Sequence, residues 1–335
     1  MKSIKKAIDS TLIGFIEKLG LMVNPIILNF KDTNSHLLIF YFHGLYESQS
    51  QKELNHIDPQ NNLTVSQFTE FIDYFLYHNY HFIKPKDLLT DLPNDQSYAM
   101  ITFDDGYFNN TLAIDVLNKY NIPATFFVTT KNIFENKSFW WDIIYKFRMQ
   151  NNTSLRKIRK EQEYLKKFKH EHIEKYIETH FGTKATKPWS DIDRPLNPVE
   201  LKQISEHPLI AVGNHTHNHS ILTNHNDEEL KKEFEKSNKL LFDLTGLAPI
   251  SIAYPNGNFN KSILKITEKS GFQFAFTTQN GINILPTIDN KIISLKRFMP
   301  KPVSIKDYGS FVRLGYSPDI IYLNFKKQIK SFMKK

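Results

Sequence analysis

The chain has 335 residues, of which 40% are hydrophobic and 13% aromatic, a composition that fits one large or two ordinary globular domains and excludes a disordered chain. Lys and Arg outnumber Asp and Glu by 43 to 35, but residues 296–335 hold ten basic and two acidic residues, so the remainder balances at thirty-three of each. Cysteine is absent, which excludes disulfides, thiolate metal sites and cysteine nucleophiles and leaves only His, Asp and Glu to hold a metal.

No run of eighteen apolar residues exists, so no membrane-spanning helix is expected. Residues 1–23 begin with lysines as a signal peptide does. Glu17 and Lys18 interrupt the apolar run, however, and no small-residue cleavage pattern follows. Ile4, Ile8, Leu12, Phe15, Ile16 and Leu19 recur at helical spacing, which predicts an amphipathic helix within an N-terminal region 1–35. That helix either docks on the body or lies on a membrane surface. A cytoplasmic protein is expected.

Residues 36–46 form a continuous apolar run, as in a strand buried on both faces. Residues 64–80 read as a helix, with Thr64 and Gln67 as a capping box and Phe68, Phe71, Ile72 and Phe75 as its apolar stripe. A second strand is expected at 98–103, a helix at 109–120 and a third strand at 123–128. The charged, mostly helical stretch at about 133–198 is too long for a connection and predicts an inserted helical subdomain or lid. Beyond it come strands at 209–212, 251–254, 273–277 and 292–295. Helices are expected at 227–246, closed by Gly246, and at 261–271. Strands alternating with helices imply a parallel α/β sheet, either open and doubly wound or closed as a barrel.

Two clusters carry chemistry. Thr102-Phe103-Asp104-Asp105-Gly106 ends a strand, on the side where α/β folds build their sites. Adjacent carboxylates there repel unless a cation or shared proton relieves them, although an Asp pair capping the next helix is the simpler alternative. Asn214-His215-Thr216-His217-Asn218-His219 places three alternating histidines just after another strand, and on either a strand or a helix at least two converge. A carboxylate and two histidines with open positions suit Zn²⁺ and a water, or equally the ligand set of non-haem iron. A second carboxylate beside the first favours hydrolysis, because an attacking water needs a base.

ITFDDGY, GNHTHNHSIL, AYPNGNFN and the early YFHG resemble the polysaccharide deacetylases of carbohydrate esterase family 4, over residues of about 37–298. The resemblance implies a distorted (β/α)7-type barrel; with the inserted helical subdomain and the terminal helices read from the residues, the barrel is expected to span 36–300 and a basic C-terminal segment 301–335. It also implies metal-dependent removal of N-acetyl, less often O-acetyl, groups from sugars, a metal-bound water attacking the acetyl carbonyl. Asp105, His215 and His219 would be the metal ligands, most often for Zn²⁺, with Co²⁺, Ni²⁺ or Mn²⁺ as substitutes. Asp104 would be the general base and Asn256 the oxyanion donor, while His217 is not a ligand in the family pattern. Ala253 stands where members typically carry the Arg that orients the catalytic Asp, and Arg297 is the candidate to replace it. No histidine follows His225, so the usual C-terminal general acid is missing, and His43 is its candidate substitute. Tyr254, Pro255, Trp140 and Trp141 are the candidate sugar-contacting residues.

Two competing readings remain: a glycosidase or lyase using the carboxylate pair, and a catalytically silent carbohydrate- or membrane-binding protein on the same fold. The expected substrate is an acetylated glycan or a lipid-linked sugar precursor. Residues 319–335 put Ile321, Phe325, Ile329 and Phe332 on one helical face with lysines largely off it, a pattern suited to an anionic membrane surface at its inner face or to docking on the barrel. The charge excess lies outside both clusters, and nucleic acid is not expected as a partner.

Overall fold

The computed structural model describes residues 36–60, 63–285, 293–300 and 305–313. The helices expected in 1–35 and 319–335 lie outside the described residues.

Eleven strands are present among them. They are β1 His36–Phe42, β2 Leu45–Tyr46, β3 Leu63–Thr64, β4 Tyr80–Phe82, β5 Ser97–Phe103, β6 Ala124–Val128, β7 Ile210–Asn214, β8 Ser251–Ala253, β9 Phe274–Phe276, β10 Asn283–Ile284 and β11 Ile293–Leu295. β1, β5, β6, β7, β8, β9 and β11 pair in that order, every ladder parallel. Phe298, just past β11, bridges Phe40 in parallel, with Tyr41 N–H donating to Phe298 O at 3.0 Å and Phe298 N–H to Ile39 O at 2.7 Å. Seven parallel strands therefore come nearly full circle, the distorted α/β barrel that the resemblance implies. β4 adds to the N-terminal half of β5, and β10 pairs antiparallel with β1. Both escape sequence reading: β4 follows directly on an apolar helix, and β10 is two residues long. The apolar run at 36–46 divides at His43-Gly44, its last two residues pairing with β3 in a separate ladder.

The strands alternate faces as period-2 geometry requires. Leu37 and Ile39 of β1, Tyr98 and Met100 of β5 and Phe127 of β6 fill the barrel with Phe274 and Phe276. Their neighbours Leu38, Phe40, Phe42, Ala99, Ile101 and Phe103 face outward onto the helices. Those helices are α1 Gln49–Glu53, α2 Val65–Tyr77, α3 Leu112–Tyr120, α4 Thr130–Glu135, α5 Trp140–Gln150, α6 Leu155–Leu165, α7 His170–Phe181, α8 Pro198–Ser205, α9 Asp227–Thr245, α10 Lys261–Lys269 and α11 Ile305–Arg313. In α2 the Thr64–Gln67 capping box forms, and Phe68, Phe71, Ile72 and Phe75 are its buried residues. Gly246 ends α9 in the left-handed region.

Of the five helices between β6 and β7, the middle three, α5 to α7, enclose a core of their own around Ile143, Ile144, Ile158, Leu165 and Ile173. A fully buried ion pair fastens them: Lys146 Nζ lies 2.5 Å from Asp193 Oδ2, and Asp193 also accepts the backbone N–H groups of Trp189 and Ser190. At the other end of the chain, α11 contributes Tyr308 and Val312 to the main core, and Arg313 donates to His78 Nδ1 at 2.9 Å.

Candidate active site

The strand ends present the two clusters to one cavity of about 440 Å³, among whose lining residues are Tyr41, His43, Asp104, Asp105, His215 and His219. Asp104 continues the inward series of β5. Inside the barrel it meets Arg297, which is fully buried and grips it with both arms: Nη1 to Oδ1 at 2.7 Å and Nη2 to Oδ2 at 2.8 Å. The guanidinium is itself fixed by Nε donating to Thr277 O at 2.9 Å, by Nη1 donating to Thr102 Oγ1 at 3.1 Å and by the Tyr41 ring 4.6 Å away. Burial alone would raise the Asp104 carboxyl, but the Arg297 charge, with His215 behind it, holds it below the usual carboxylate range. Arg297 thus occupies the place beside the carboxylate that Ala253 leaves without a charge.

Asp105 turns the other way. Its φ is +75°, and Oδ1 lies 3.3 Å from Nε2 of both His215 and His219. One ligand atom from each of the three residues lies within 4.8 Å of the other two. Both carboxylate oxygens of Asp105 are buried without a hydrogen-bond partner. An ionised carboxylate with orphaned oxygens and two imidazole nitrogens aimed at it is the donor set of a divalent cation, and the residues present fit one. Burial works against ionisation of Asp105, yet the two histidines outweigh it and hold this carboxyl far below the ordinary range. Burial likewise pulls the His215 imidazolium down, but Asp105 and Asp104 leave it raised, whereas for His219 burial prevails. His215 Nδ1 faces Ala253 O at 2.8 Å, so it carries the proton and leaves the Nε2 lone pair toward Asp105.

The histidine loop is held by its own sequence. Asn214 Oδ1 accepts the Thr216 N–H at 2.6 Å while its amide donates to Ser237 and Asn238 of α9. Glu233 of the same helix takes the Asn218 N–H and the Ser220 hydroxyl. Gly213 is required one residue earlier, because a Cβ there would meet the Phe127 ring at 2.4 Å. Among the described residues, the non-glycine residues at positive φ are Asp105, Thr216, His219 and six asparagines, one of which is Asn256. Asn, Asp and His tolerate that region, so the costly instance is the β-branched Thr216, inside the histidine loop.

Asn256 and His43 both line the cavity. The His43 carbonyl accepts from the Asn110 amide. His217 turns away to Thr130 Oγ1 at 2.8 Å, and burial pulls its imidazole down to about 4. Trp140 and Trp141 also line the cavity, and the Trp141 ring packs 4.4 Å from the His219 ring. Tyr254 is a correction: its ring is fully buried in the core beside Phe259 and its hydroxyl donates to Thr267 Oγ1 at 3.0 Å, because a buried tyrosine needs a partner there. Pro255 is also buried and does not line the cavity.

A network that sequence reading missed stands behind the tryptophans. Trp141 Nε1 donates to Tyr107 Oη at 2.9 Å, and that hydroxyl donates to Asp142 Oδ2 at 2.6 Å. Asp142 Oδ1 accepts the Asp58 N–H at 2.7 Å, and Asp58 receives Arg159 at 2.6 Å. Burial pushes the Asp142 carboxyl well above its ordinary value despite these hydrogen bonds. The signal in the sequence was only the Tyr that ends ITFDDGY and the Asp that ends WWD.

The family model described as polysaccharide deacetylase matches residues 91–275, more than half of the chain and inclusive of both clusters. The chain belongs to the polysaccharide deacetylase family. Its members are hydrolases acting on non-peptide carbon–nitrogen bonds, so this chain is an enzyme of that class. It is 24% identical over 264 residues to YxkH of Bacillus subtilis, itself assigned to the polysaccharide deacetylases, covering 76% of this chain and 73% of that one. In three dimensions it resembles the Streptococcus pyogenes deacetylase PplD solved in complex with acetate, with a TM-score of 0.55, 19% identity and coverage of 82% of this chain and 97% of that chain. It also resembles BC0361, a polysaccharide deacetylase from Bacillus cereus, with a TM-score of 0.56, 18% identity and coverage of 83% and 69% respectively. Both likenesses bear on the fold. Among the described residues no helix is long and apolar enough to cross a membrane.

Proposed function

We propose that this polysaccharide deacetylase removes acetyl groups from the amino sugars of a glycan or glycan precursor, with a divalent metal held by Asp105, His215 and His219. The observation that carries this reading is the orphaned, buried Asp105 carboxylate facing two imidazoles, a cluster that only a cation completes well. When bound, such a metal, Zn²⁺ foremost, supplies Lewis acidity toward water and the acetyl carbonyl.

The chain's own residues supply the rest. Asp104 accepts the proton of the attacking water, its carboxylate kept ionised and aimed by the Arg297 fork. The backbone N–H of Asn256, at the cavity edge, stabilises the oxyanion that develops at the acetyl carbon. His43, on the same cavity, donates the proton that the departing amine needs. Trp140 and Trp141 wall the sugar and exclude water. A lipid-linked precursor at a membrane face is the substrate that the basic, amphipathic pattern of 319–335 suits.

Acetate release is measured from N-acetylated and O-acetylated glycans and undecaprenyl-linked sugars, with Zn²⁺, Co²⁺, Ni²⁺ or Mn²⁺ and with chelator. Metal-dependent release from an N-acetylated glycan is expected. Release that survives chelation, or none from any acetylated sugar, would sink the reading. Equal liposome flotation with and without 319–335 would remove the membrane placement alone.

A further inference from the structure

The two histidines that face Asp105 are held in different ways. His215 is fixed by a hydrogen bond, its Nδ1 lying 2.8 Å from Ala253 O. His219 stands at a φ of +51°, and among the described residues no protein group hydrogen-bonds its Nδ1. Its ring neighbours are His215 at 4.9 Å and the Trp141 indole at 4.4 Å. An imidazole aims its lone pair at a fixed point only where its ring is kept from turning, and a hydrogen bond on the other nitrogen is the usual means. At His219 packing against an indole takes that place.

The indole is itself immobilised. Its Nε1 donates to Tyr107 Oη at 2.9 Å, Tyr107 Oη donates to Asp142 Oδ2 at 2.6 Å, and Asp142 Oδ1 accepts the Asp58 N–H at 2.7 Å. Gln162 Nε2 donates to the Trp141 carbonyl at 3.0 Å. The Phe139 ring stacks on Trp141 at 4.9 Å and lies 4.5 Å from the Tyr107 ring. Tyr107 is fully buried and does not line the catalytic cavity. It follows Asp105 by two residues, in a turn tied to the returning end of the insert: the Phe108 N–H donates to Arg194 O at 3.0 Å and the Leu196 N–H to Gly106 O at 2.9 Å. Tyr107 therefore links the turn that carries Asp105 to the indole that packs on His219.

We propose that Tyr107, Trp141 and Asp142 are positioning residues for the metal site: Asp142 fixes the Tyr107 hydroxyl, Tyr107 fixes the indole, and the indole sets the His219 ring so that its Nε2 stays on Asp105. The proposal rests on the metal reading above and deepens it. A buried indole N–H needs an acceptor, and any backbone carbonyl would serve. The acceptor here is the side chain two residues after a ligand, which is what a coupling between the two requires. The three donors stand at barrel strand ends, while α5 carries both Trp141 and Asp142. The inserted helices thus complete a site to which they contribute no ligand.

Zn²⁺ affinity is measured by competition with a chromophoric chelator for the unmodified protein, Tyr107→Phe, Trp141→Phe and the double variant. Tyr107→Phe keeps the ring and loses only the hydroxyl, and should bind Zn²⁺ about 10–100-fold more weakly. Trp141→Phe should lose at least as much. Adding Tyr107→Phe to it should cost no more than about twofold further, because the hydroxyl acts through the indole. Tyr145→Phe is the control: it removes another hydroxyl from α5, one that donates to Asn55 Oδ1 at 2.7 Å, and should leave Zn²⁺ affinity unchanged. The Co²⁺ absorption spectrum, which reports the arrangement of the ligands, should change in Tyr107→Phe and not in Tyr145→Phe. Zn²⁺ held by Tyr107→Phe and Trp141→Phe as tightly as by the unmodified protein, or two losses that simply add, overturns the positioning role. Should Tyr107→Phe fail to fold, Trp141→Phe decides: a weakened site with an altered Co²⁺ spectrum supports the role, and unchanged affinity overturns it. Failure of the metal reading itself shows differently, as no Zn²⁺ bound by any form, and it takes this role with it.

Discussion

Two buried ion pairs show how the barrel and the inserted helices are put to different uses. In the barrel, Arg297 and Asp104 are fully desolvated, yet the carboxylate they share lies on the cavity. In the insert, Lys146 and Asp193 are equally desolvated, with Ser138 and the backbone of Trp189 and Ser190 taking up the remaining bonding capacity. Taking a pair of charges out of water costs several kcal/mol and is recovered only by good geometry. The first pair spends that cost on holding a reacting group. The second spends it on holding the helices that carry Trp140 and Trp141.

This contrast can be broken by substitution. Asp104→Asn should have the largest effect on rate, a loss of about 10²–10⁴-fold in acetate release, since the proton acceptor is gone. Restored activity at wild-type level would remove Asp104 from the chemistry. Arg297→Lys keeps the charge but not the fork, and a loss of roughly tenfold to a hundredfold in kcat with little change in KM is expected. Lys146→Met should act on stability instead, lowering it by about 3–5 kcal/mol because Asp193 is left buried and unpaired. Lys146→Met with Asp193→Leu should recover most of that loss in a denaturant titration. If the double variant stays as unstable as the single one, the pair is not the fastening that the comparison requires.

The smallest effect is at Glu174, on α7 of the insert. Hydrogen bonds from His170 and Lys131, against some cost of burial, lower its carboxyl to about 2 from an ordinary 4.5. A depressed folded-state value contributes stability that is present above the unfolded value and lost as pH falls through the folded one. The stability gap between the protein and Glu174→Gln should therefore be full at pH 7 and close between about 4.5 and 2. It should be small throughout, because the side chain is 42% exposed and screened by water. A gap that widens on acidification would reverse the assignment.

What could be read from the sequence divides along the same line. The barrel was legible because its strands alternate over continuous apolar runs and its helices announce their ends: Thr64 with Gln67, and Gly246 after α9, are local signals. The clusters were legible for the same reason, since Asp104 and Asp105 are neighbours and the histidines span five residues. The role of Arg297 could be guessed only from the missing charge at Ala253, and the contact itself joins residues 193 apart. Asp58 bonds Asp142 across 84 residues and Tyr107 bonds it across 35, so no local pattern marked either. Tyr254 misled because it belongs to AYPNGNFN, although the turn after β8 sends its ring into the core.

The central claim is that Asp105, His215 and His219 hold one divalent metal, and metal content after purification tests it most directly. The account predicts one zinc-class ion per chain in the unmodified protein, and none in Asp105→Ala or His219→Gln samples that keep a cooperative melting transition. No stoichiometric metal in the unmodified protein after reconstitution, or equal metal in all three proteins, would contradict it.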